Sequence, residues 1–225
     1  MSSYVFNRDC LEAMREFPTG FFDLAVVDPP YGIGYDRHAA EKAGEQYGNA
    51  AARKKTYHAT DWDNATPPPE YFAELFRVSK NAIIWGGNYY QLPPSKCFIC
   101  WDKRTTDNMK NDFADAELAW CSPALGVARV FRYVWNGMIQ GDMSAKENRI
   151  HPTQKPVALY RWIFKNYASA GAKILDTHLG SGSSRIAAYD AGLDFWGYEI
   201  DEVYFKLQEE RFAAHAAQIN LFLDY

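Results

Sequence analysis

The sequence predicts an α/β fold in which helices cover both faces of a mostly parallel β-sheet. Short buried apolar runs, such as 22–27 and 173–176, alternate along the chain with segments of helical periodicity. Two of these runs end in turns rich in proline or glycine, where open parallel sheets place their ligands. The 225 residues are enough for one large domain with a sizeable core, so we expect a single domain over 1–225.

The composition, with 48% hydrophobic and 23% charged residues, is that of an ordinary folded domain and excludes a disordered or collagen-like chain. The net charge of −4 argues weakly against nucleic acid, yet residues 129–155 carry five basic and two acidic side chains. A local basic face can still bind phosphates, so the charge leaves a DNA partner open. The chain lacks a signal-peptide pattern and any apolar stretch of roughly 18 residues, so we expect a cytoplasmic protein with no membrane partner.

The predicted elements follow one another with clear boundaries. Residues 4–7 predict a strand, and Asp9 can cap a helix that begins at Cys10, with Glu12 at the capping-box position. Residues 36–60 are polar and rich in alanine and glycine, which indicates a long mobile loop. Further strands are predicted at 22–27, 82–85, 97–101, 117–121, 173–176 and 195–199, and further helices at 69–80, 156–168, 183–191 and 201–219.

The four cysteines are interpreted as structural. Cys97 and Cys100 form a C-x-x-C pair within a predicted strand, where positions three apart point to opposite faces. No second pair follows at a zinc-like spacing. We therefore expect core cysteines and predict no metal.

The first candidate site is a strand, a glycine turn and a helix start within 175–184. Gly180 and Gly182 let the backbone approach a ligand closely, and the helix start offers free N–H groups. Glu199 ends the next predicted strand, 19 residues after Gly180, where a carboxylate can accept both hydroxyls of a ribose. This pattern favours a nucleoside-containing cofactor over an ordinary tight turn.

The second candidate site is Asp28-Pro29-Pro30-Tyr31, at the carboxyl end of a buried strand. The two prolines lack N–H donors, so this backbone presents only carbonyl oxygens, beside a carboxylate and an aromatic ring. Such a surface suits a planar ligand that donates through an NH₂ group, as the exocyclic amine of a nucleobase does.

The third candidate site is 151–156, His-Pro-Thr-Gln-Lys-Pro, directly before a predicted helix. Polar groups between two prolines at a helix start indicate a fixed loop that faces a ligand. Lys155 is a candidate to bind a carboxylate.

Together these residues resemble the N6-adenine/N4-cytosine DNA methyltransferase family, and specifically its beta class. In that family D-P-P-Y precedes H-P-T-Q-K-P, which is followed by D-x-x-x-G-S-G and G-x-E, the order found here from Asp28 to Glu199. Residues 9–12 also match the D-C-L-E that is common upstream of D-P-P-Y. The chain departs from the usual D-P-F of the glycine motif, since it has Thr177 and His178 after Asp176.

The resemblance implies a role for each motif residue. Asp28, Pro29, Pro30 and Tyr31 would hold a target base flipped out of DNA. The remaining motif residues would bind S-adenosylmethionine, with Asp9 and Cys10 at its adenine, Glu199 at its ribose, and Thr153, Gln154 and Lys155 at its methionine end. The full set of implied cofactor residues is Asp9, Cys10, His151, Thr153, Gln154, Lys155, Asp176, Gly180, Ser181, Gly182, Ser183 and Glu199.

The resemblance also implies a Rossmann-like class I methyltransferase sandwich with seven strands in the order 3-2-1-4-5-7-6. The seventh strand would be antiparallel. The strand at 4–7 would be third in the sheet, so the sequence would be a circular permutation of the common methyltransferase order.

The resulting functional hypothesis is a site-specific DNA methyltransferase that modifies the N6 amine of adenine, with N4 of cytosine as the alternative. A nicotinamide oxidoreductase would also use a glycine turn and Glu199, but it leaves 28–31 and 151–156 unexplained. A DNA-binding module without turnover also stays open. A methyltransferase for RNA or protein amines fits less well, because those more often resemble N-P-P-[YF] or D-P-P-W.

Only one segment leaves room for a target reader, the basic and aromatic stretch 122–149, with the loop 36–60 as a second contributor. The alternative interpretation of 122–149, without a functional role, is one strand followed by a solvated loop. A reader this small leaves a homodimer open as a further partner. The expected DNA-binding residues are Arg53, Lys54, Lys55, Arg129, Arg132 and Arg149.

Overall fold

A computed structural model describes residues 1–34, 57–58, 62–104, 114–136 and 139–223. The predicted loop 36–60, including Arg53, Lys54 and Lys55, lies outside the described residues except for Tyr57 and His58. The strands of the described part are β1 (Ser3–Phe6), β2 (Leu24–Val27), β3 (Ala82–Trp85), β4 (Phe98–Asp102), β5 (Ala116–Cys121), β6 (Arg129–Arg132), β7 (Trp135–Asn136), β8 (Ile139–Gln140), β9 (Lys173–Asp176) and β10 (Asp194–Tyr198). The α-helices are α1 (Cys10–Arg15), α2 (Pro69–Val78), α3 (Val157–Tyr167), α4 (Ser183–Asp190) and α5 (Glu202–Leu223).

The main sheet has the strand order β1-β10-β9-β2-β3-β5-β4-β6. The first seven of these strands reproduce the expected order 3-2-1-4-5-7-6, and β5 is antiparallel to both of its neighbours. The expected count of seven strands is wrong, because β6 pairs in parallel with β4 and adds an eighth strand at the edge. The fold is otherwise the Rossmann-like sandwich that the sequence predicted.

Helices cover the sheet on both faces, as the burial of β2 shows. Leu24 and Val26 pack into one hydrophobic cluster with α3 and α4, whereas Ala25 and Val27 pack into a second cluster with α1 and α2. This alternation is the two-residue period of a strand that is buried on both faces, as is typical of central parallel strands. The continuous apolar run therefore predicted the position of β2 correctly.

Local chemistry explains where α1 begins. The Asp9 carboxylate accepts a hydrogen bond of 2.9 Å from the backbone N–H of Glu12, which is the expected N-cap. The predicted bounds of the other helices differ from the observed ones by only a few residues at most.

The segment 122–149 holds more regular structure than one strand. β6 joins the main sheet, and β7 and β8 form a separate two-stranded antiparallel sheet.

Among the described residues, all four cysteines are free thiols. Cys97 and Cys121 are buried in the core, while Cys10 and Cys100 are half-buried. The same part of the chain brings no three His, Cys, Asp or Glu residues together as metal ligands. It also contains no helix with the length and apolar character that a membrane crossing requires.

Candidate active site

Four acidic side chains mark the carboxyl edge of the parallel part of the sheet. Asp176 is the last residue of β9, Glu199 follows β10 directly, Asp28 follows β2 directly, and Asp9 lies three residues beyond β1. Because β9 lies between β10 and β2, the glycine turn and the Asp28 corner occupy adjoining parts of this edge. The two candidate sites are therefore neighbours in space.

The glycine turn is held by Glu199. Its carboxylate accepts a 2.7 Å hydrogen bond from the Gly180 N–H and a 2.9 Å bond from the Asp201 N–H. Gly180 and Gly182 have φ values of +51° and +72°, in the left-handed region that favours glycine. Gly182 is the N-cap of α4, so the first turn of that helix opens toward the site.

Asp176 is buried beneath this turn. Its carboxylate accepts hydrogen bonds from the Ser184 hydroxyl and from the His178 N–H, the latter at 3.1 Å. Burial raises the pKa of Asp176 to about 7. A cationic ligand beside this carboxyl would favour its ionised form.

On the Cys10 side, burial raises the pKa of the thiol to about 12, so the group stays protonated at neutral pH. Tyr71 of α2 reaches the same edge, and its hydroxyl lies 2.6 Å from the Thr177 hydroxyl.

At the second site, the Asp28 carboxylate binds two donors. The Tyr31 hydroxyl donates to Oδ1 at 2.8 Å, and the Lys155 ammonium donates to Oδ2. Burial raises the pKa of Asp28, and the nearby Lys155 ammonium acts against that shift. Asp28, Pro29 and Tyr31 all line one cavity.

Two residues outside the motif fix the proline backbone. The Tyr90 hydroxyl donates to the carbonyl oxygens of Pro29 and Pro30, at 2.7 and 3.0 Å. The buried Asp63 carboxylate accepts the N–H groups of Tyr31 and Gly32, at 2.8 and 2.9 Å. A carbonyl oxygen has two lone pairs, so Pro29 keeps acceptor capacity for a ligand.

The Tyr31 ring stacks on the Tyr89 ring with centroids 4.8 Å apart and planes at 14°. Gly86 allows this arrangement, because a Cβ at that position would lie 2.2 Å from the Tyr31 ring. Gly86 also has a φ of +68°. The stacked tyrosines form an aromatic wall of the cavity.

The loop 151–156 lies between the two sites. Burial lowers the pKa of His151 to about 3, so its ring is neutral, and it packs on Tyr204 with centroids 4.2 Å apart. The Thr153 hydroxyl lies 3.0 Å from His151 Nδ1, and the Gln154 side chain accepts the Ile150 N–H at 2.9 Å.

The Lys155 side chain lies against the second candidate site. Its ammonium contacts the carboxylates of Asp28 and Glu117, the latter at 3.3 Å, and the side chain is only 4% exposed. The family resemblance implies that Lys155 lies at the methionine end of the cofactor, which stays a prediction. In the structure its ammonium contacts these two protein carboxylates.

The cavity has a volume of about 380 Å³. Its aromatic lining comprises Tyr31, Tyr89, Trp101 and Trp135. Its charged lining includes Asp28, Glu117, Lys103, Lys155 and Arg149. A flat, polar-edged ligand fits such a mixture of ring faces and hydrogen-bonding groups.

Among the described residues, the three predicted DNA-binding arginines lie in two different places. Arg149 lines the cavity, with its guanidinium 4.4 Å from the centre of the Trp135 ring. Arg129 and Arg132 lie exposed on the edge strand β6, outside the cavity lining.

Sequence reasoning missed five residues that shape the second site: Asp63, Tyr89, Tyr90, Lys103 and Glu117. Tyr89 and Tyr90 follow the Gly86-Gly87 pair that ends β3, so their place after a parallel strand was a usable signal. Lys103 and Glu117 belong to no short motif.

Comparison with known proteins gives a consistent set of relatives. Residues 102–210 match the model of a family described as "DNA methylase". The chain is 27% identical to the protein named "Putative methylase YubD" of Escherichia coli (strain K12), over 95% of this chain and 91% of that protein. It is 25% identical to the Type II methyltransferase M2.MboI of Moraxella bovis, over 70% of this chain but only 50% of that protein.

Two solved structures share the fold. TTHA0409 of Thermus thermophilus, complexed with S-adenosyl-L-methionine, aligns with a TM-score of 0.58 and 17% identity, over 95% of this chain and 94% of that one. The PvuII DNA methyltransferase, described as cytosine-N4-specific, aligns with a TM-score of 0.56 and 11% identity, over 97% of this chain and 93% of that one.

Proposed function

The chain belongs to the N6-adenine/N4-cytosine DNA methyltransferase family, and from that premise we propose that it transfers a methyl group from S-adenosylmethionine to the N6 amine of adenine in DNA. One observation carries the proposal. Asp28 and Pro29 line the same cavity as the stacked tyrosines, at the strand end next to the glycine turn.

The residues at the ends of β1, β9 and β10 fit S-adenosylmethionine. Glu199 retains lone pairs for ribose hydroxyls while it holds Gly180, and the open first turn of α4 offers N–H donors. Gly182 has a φ of +72° and little room for a side chain, since a Cβ there would lie 3.2 Å from Gln208. When bound, S-adenosylmethionine supplies an electrophilic methyl group on a sulfonium sulfur.

The residues of the second site activate and hold the amine. An exocyclic amine is a weak nucleophile because its lone pair is delocalised into the base. Asp28 and the Pro29 carbonyl accept its hydrogens, localise the lone pair and aim it for an in-line displacement. As the new N–C bond forms, the bond between the methyl group and the sulfonium sulfur would break, S-adenosylhomocysteine would leave as a neutral thioether, and positive charge would develop on the nitrogen beside Asp28. One N–H proton would then pass from that nitrogen to solvent water.

The aromatic wall compensates for removing the base from the duplex. Base flipping costs stacking energy, and an aromatic side chain restores about 1–3 kcal/mol per stacked base. Tyr31 and Tyr89 stack on each other, so a base meets one outer ring face, from which a two-ring purine gains more contact than a pyrimidine does. This supports adenine as the target.

Methylation of cytosine N4 is the alternative, because the same two acceptors suit that amine equally well. A nicotinamide oxidoreductase has no use for the Asp28 and Pro29 acceptors. A DNA-binding module without turnover would not need the buried pairing of Asp28 with Lys155.

The test is methyl transfer from tritiated S-adenosylmethionine to DNA, followed by digestion to nucleosides and mass spectrometry. We expect N6-methyldeoxyadenosine. N4-methyldeoxycytidine would replace the proposal by its alternative, and DNA binding without label transfer by the full chain would support the binding module. Sequencing of methylated bases in a host that expresses the protein would then give the recognition sequence.

A further inference from the structure

We propose that Glu117 is a positioning residue for methyl transfer, which acts through Lys155 to keep Asp28 available as the acceptor of the target amine. The inference rests on the proposed function. No short motif contains Glu117, and only the tertiary structure brings it to the site.

Four lining side chains of alternating charge contact one another in turn. Lys103 donates to Glu117 Oε1 at 2.8 Å, Glu117 Oε2 lies 3.3 Å from the Lys155 ammonium, and Lys155 contacts Asp28. Lys103 and Glu117 lie on the neighbouring strand ends of β4 and β5, whereas Lys155 comes from the loop before α3. This series of four charged side chains thus connects β4 and β5 to the D-P-P-Y corner.

These groups are shielded from water. Lys103 and Glu117 are 13% and 27% exposed, and Lys155 is almost fully buried. Burial acts to raise the pKa of Glu117, but the ammonium groups of Lys155 and Lys103 outweigh it and lower that pKa. Glu117 is therefore ionised, and in this environment its charge acts over several ångströms.

The charges of Lys103, Glu117, Lys155 and Asp28 sum to zero. Without the Glu117 carboxylate the group carries a net positive charge, beside an amine that becomes positive as the methyl group arrives. The target base is neutral when it binds, so this charge opposes the chemical step more than it opposes base binding.

Glu117 also competes with Asp28 for the N–H donors of Lys155. The ammonium lies between two carboxylates, and its three N–H donors are shared between them. If Glu117 is lost, Lys155 turns fully to Asp28 and competes with the target amine for the same oxygens. Both effects predict a slower methyl transfer.

The experiment measures single-turnover methyl transfer with enzyme in excess over DNA, in the wild type and in Glu117→Gln. We expect the rate constant to fall about tenfold or more, as the loss of one charge at this range implies. The dissociation constants for DNA and for S-adenosylmethionine should stay within about twofold of the wild type. Glu74→Gln is the matched control, since Glu74 pairs with Arg77 on α2 outside the cavity and should leave the rate unchanged.

A second variant separates charge balance from structure. Lys103→Met/Glu117→Gln removes one charge of each sign and restores neutrality, so it should recover the part of the lost rate that the charge imbalance causes, while the competition of Lys155 for Asp28 remains. A structural role predicts a double variant that is as slow as the single variant or slower. If Glu117→Gln does not fold, the double variant is compared with the wild type and should stay within about fivefold.

Three results overturn the inference: a wild-type rate in Glu117→Gln, a loss confined to DNA affinity, or no recovery in the double variant. Failure of the proposed function is distinct, because the wild type itself would then transfer no methyl group to DNA.

Discussion

At the scale of single residues, Asp28 is the residue on which the proposed methyl transfer depends. It is held by Tyr31 and Lys155 at the end of β2. Asp28→Ala should lower the methyl-transfer rate by about two orders of magnitude or more, the usual cost of a lost electrostatic partner of the transition state. Binding of S-adenosylmethionine by calorimetry should be unchanged. Asp23→Ala, at the opposite end of the same strand, is the control, and full activity of Asp28→Ala would remove Asp28 from the mechanism.

Lys155 sets the protonation of Asp28. Burial raises the pKa of Asp28, Lys155 lowers it, and Glu117 and the Tyr31 hydroxyl are the other titratable neighbours that act on it. Lys155→Met should therefore raise that pKa further, and the protonated carboxyl is a poorer acceptor. The acid limb of the single-turnover pH profile should therefore move to higher pH. An unmoved acid limb would contradict this assignment.

Glu199 combines two duties, because it holds the backbone of the glycine turn and faces the proposed ribose site. Glu199→Ala removes the partner of the Gly180 and Asp201 N–H groups. Each charged hydrogen bond to the ribose is worth about 1.5–3 kcal/mol, so the affinity for S-adenosylmethionine should fall at least tenfold in calorimetry. Unchanged affinity would mean that the turn serves another ligand.

At the scale of elements, the start of α3 depends on a distant side chain. Its N-cap is Pro156, which provides no side-chain hydrogen bond, and the Glu147 carboxylate accepts the Val157 N–H at 2.9 Å instead. Glu147 also accepts from Arg211 of α5 at 2.6 Å, and Arg211 donates to the Ser181 carbonyl at 2.7 Å. The segment 122–149 is thereby tied to the glycine turn.

Glu147→Ala should lower the free energy of unfolding by about 2 kcal/mol or more, because it uncaps α3 and leaves Arg211 without its carboxylate. Urea denaturation measures this change. Glu202→Ala breaks the exposed pair with Lys206 on α5 and should leave the free energy of unfolding nearly unchanged. Equal decreases in the free energy of unfolding in the two variants would show that the hydrogen bonds of Glu147 do not stabilise the fold.

At the scale of the whole molecule, the charge is unevenly distributed: the net charge is −4, yet Arg53, Lys54 and Lys55 follow one another in the sequence after the D-P-P-Y motif. We predict that replacing all three with Ala weakens DNA binding. The log–log salt slope should decrease by roughly 0.9 for each lost phosphate contact. Affinity for S-adenosylmethionine should not change. If the DNA affinity and the salt slope match those of the wild type, the segment 122–149 becomes the candidate for DNA recognition.

The sequence by itself determined seven of the ten strands in the described part of the chain, all except β6, β7 and β8, and the motif residues of the proposed site. Apolar runs such as the one that forms β2, and turn signals such as Gly180 and Gly182, are local features that the chain carries wherever it folds. The order of the first seven strands came from the family resemblance, which the ordered motifs supported.

Only the tertiary structure decided how the base site is held. Tyr90, Asp63 and Glu117 reach the Asp28 corner from separate segments, and the pairing of β6 with β4 added the eighth strand. The tertiary structure also decided the partners of Lys155. The family resemblance implied the methionine end of a cofactor, and the structure shows the ammonium in contact with Asp28 and Glu117. The physical reason is that periodicity and turn chemistry act over a few residues. The partners of a buried charge depend instead on which distant segments the fold brings together.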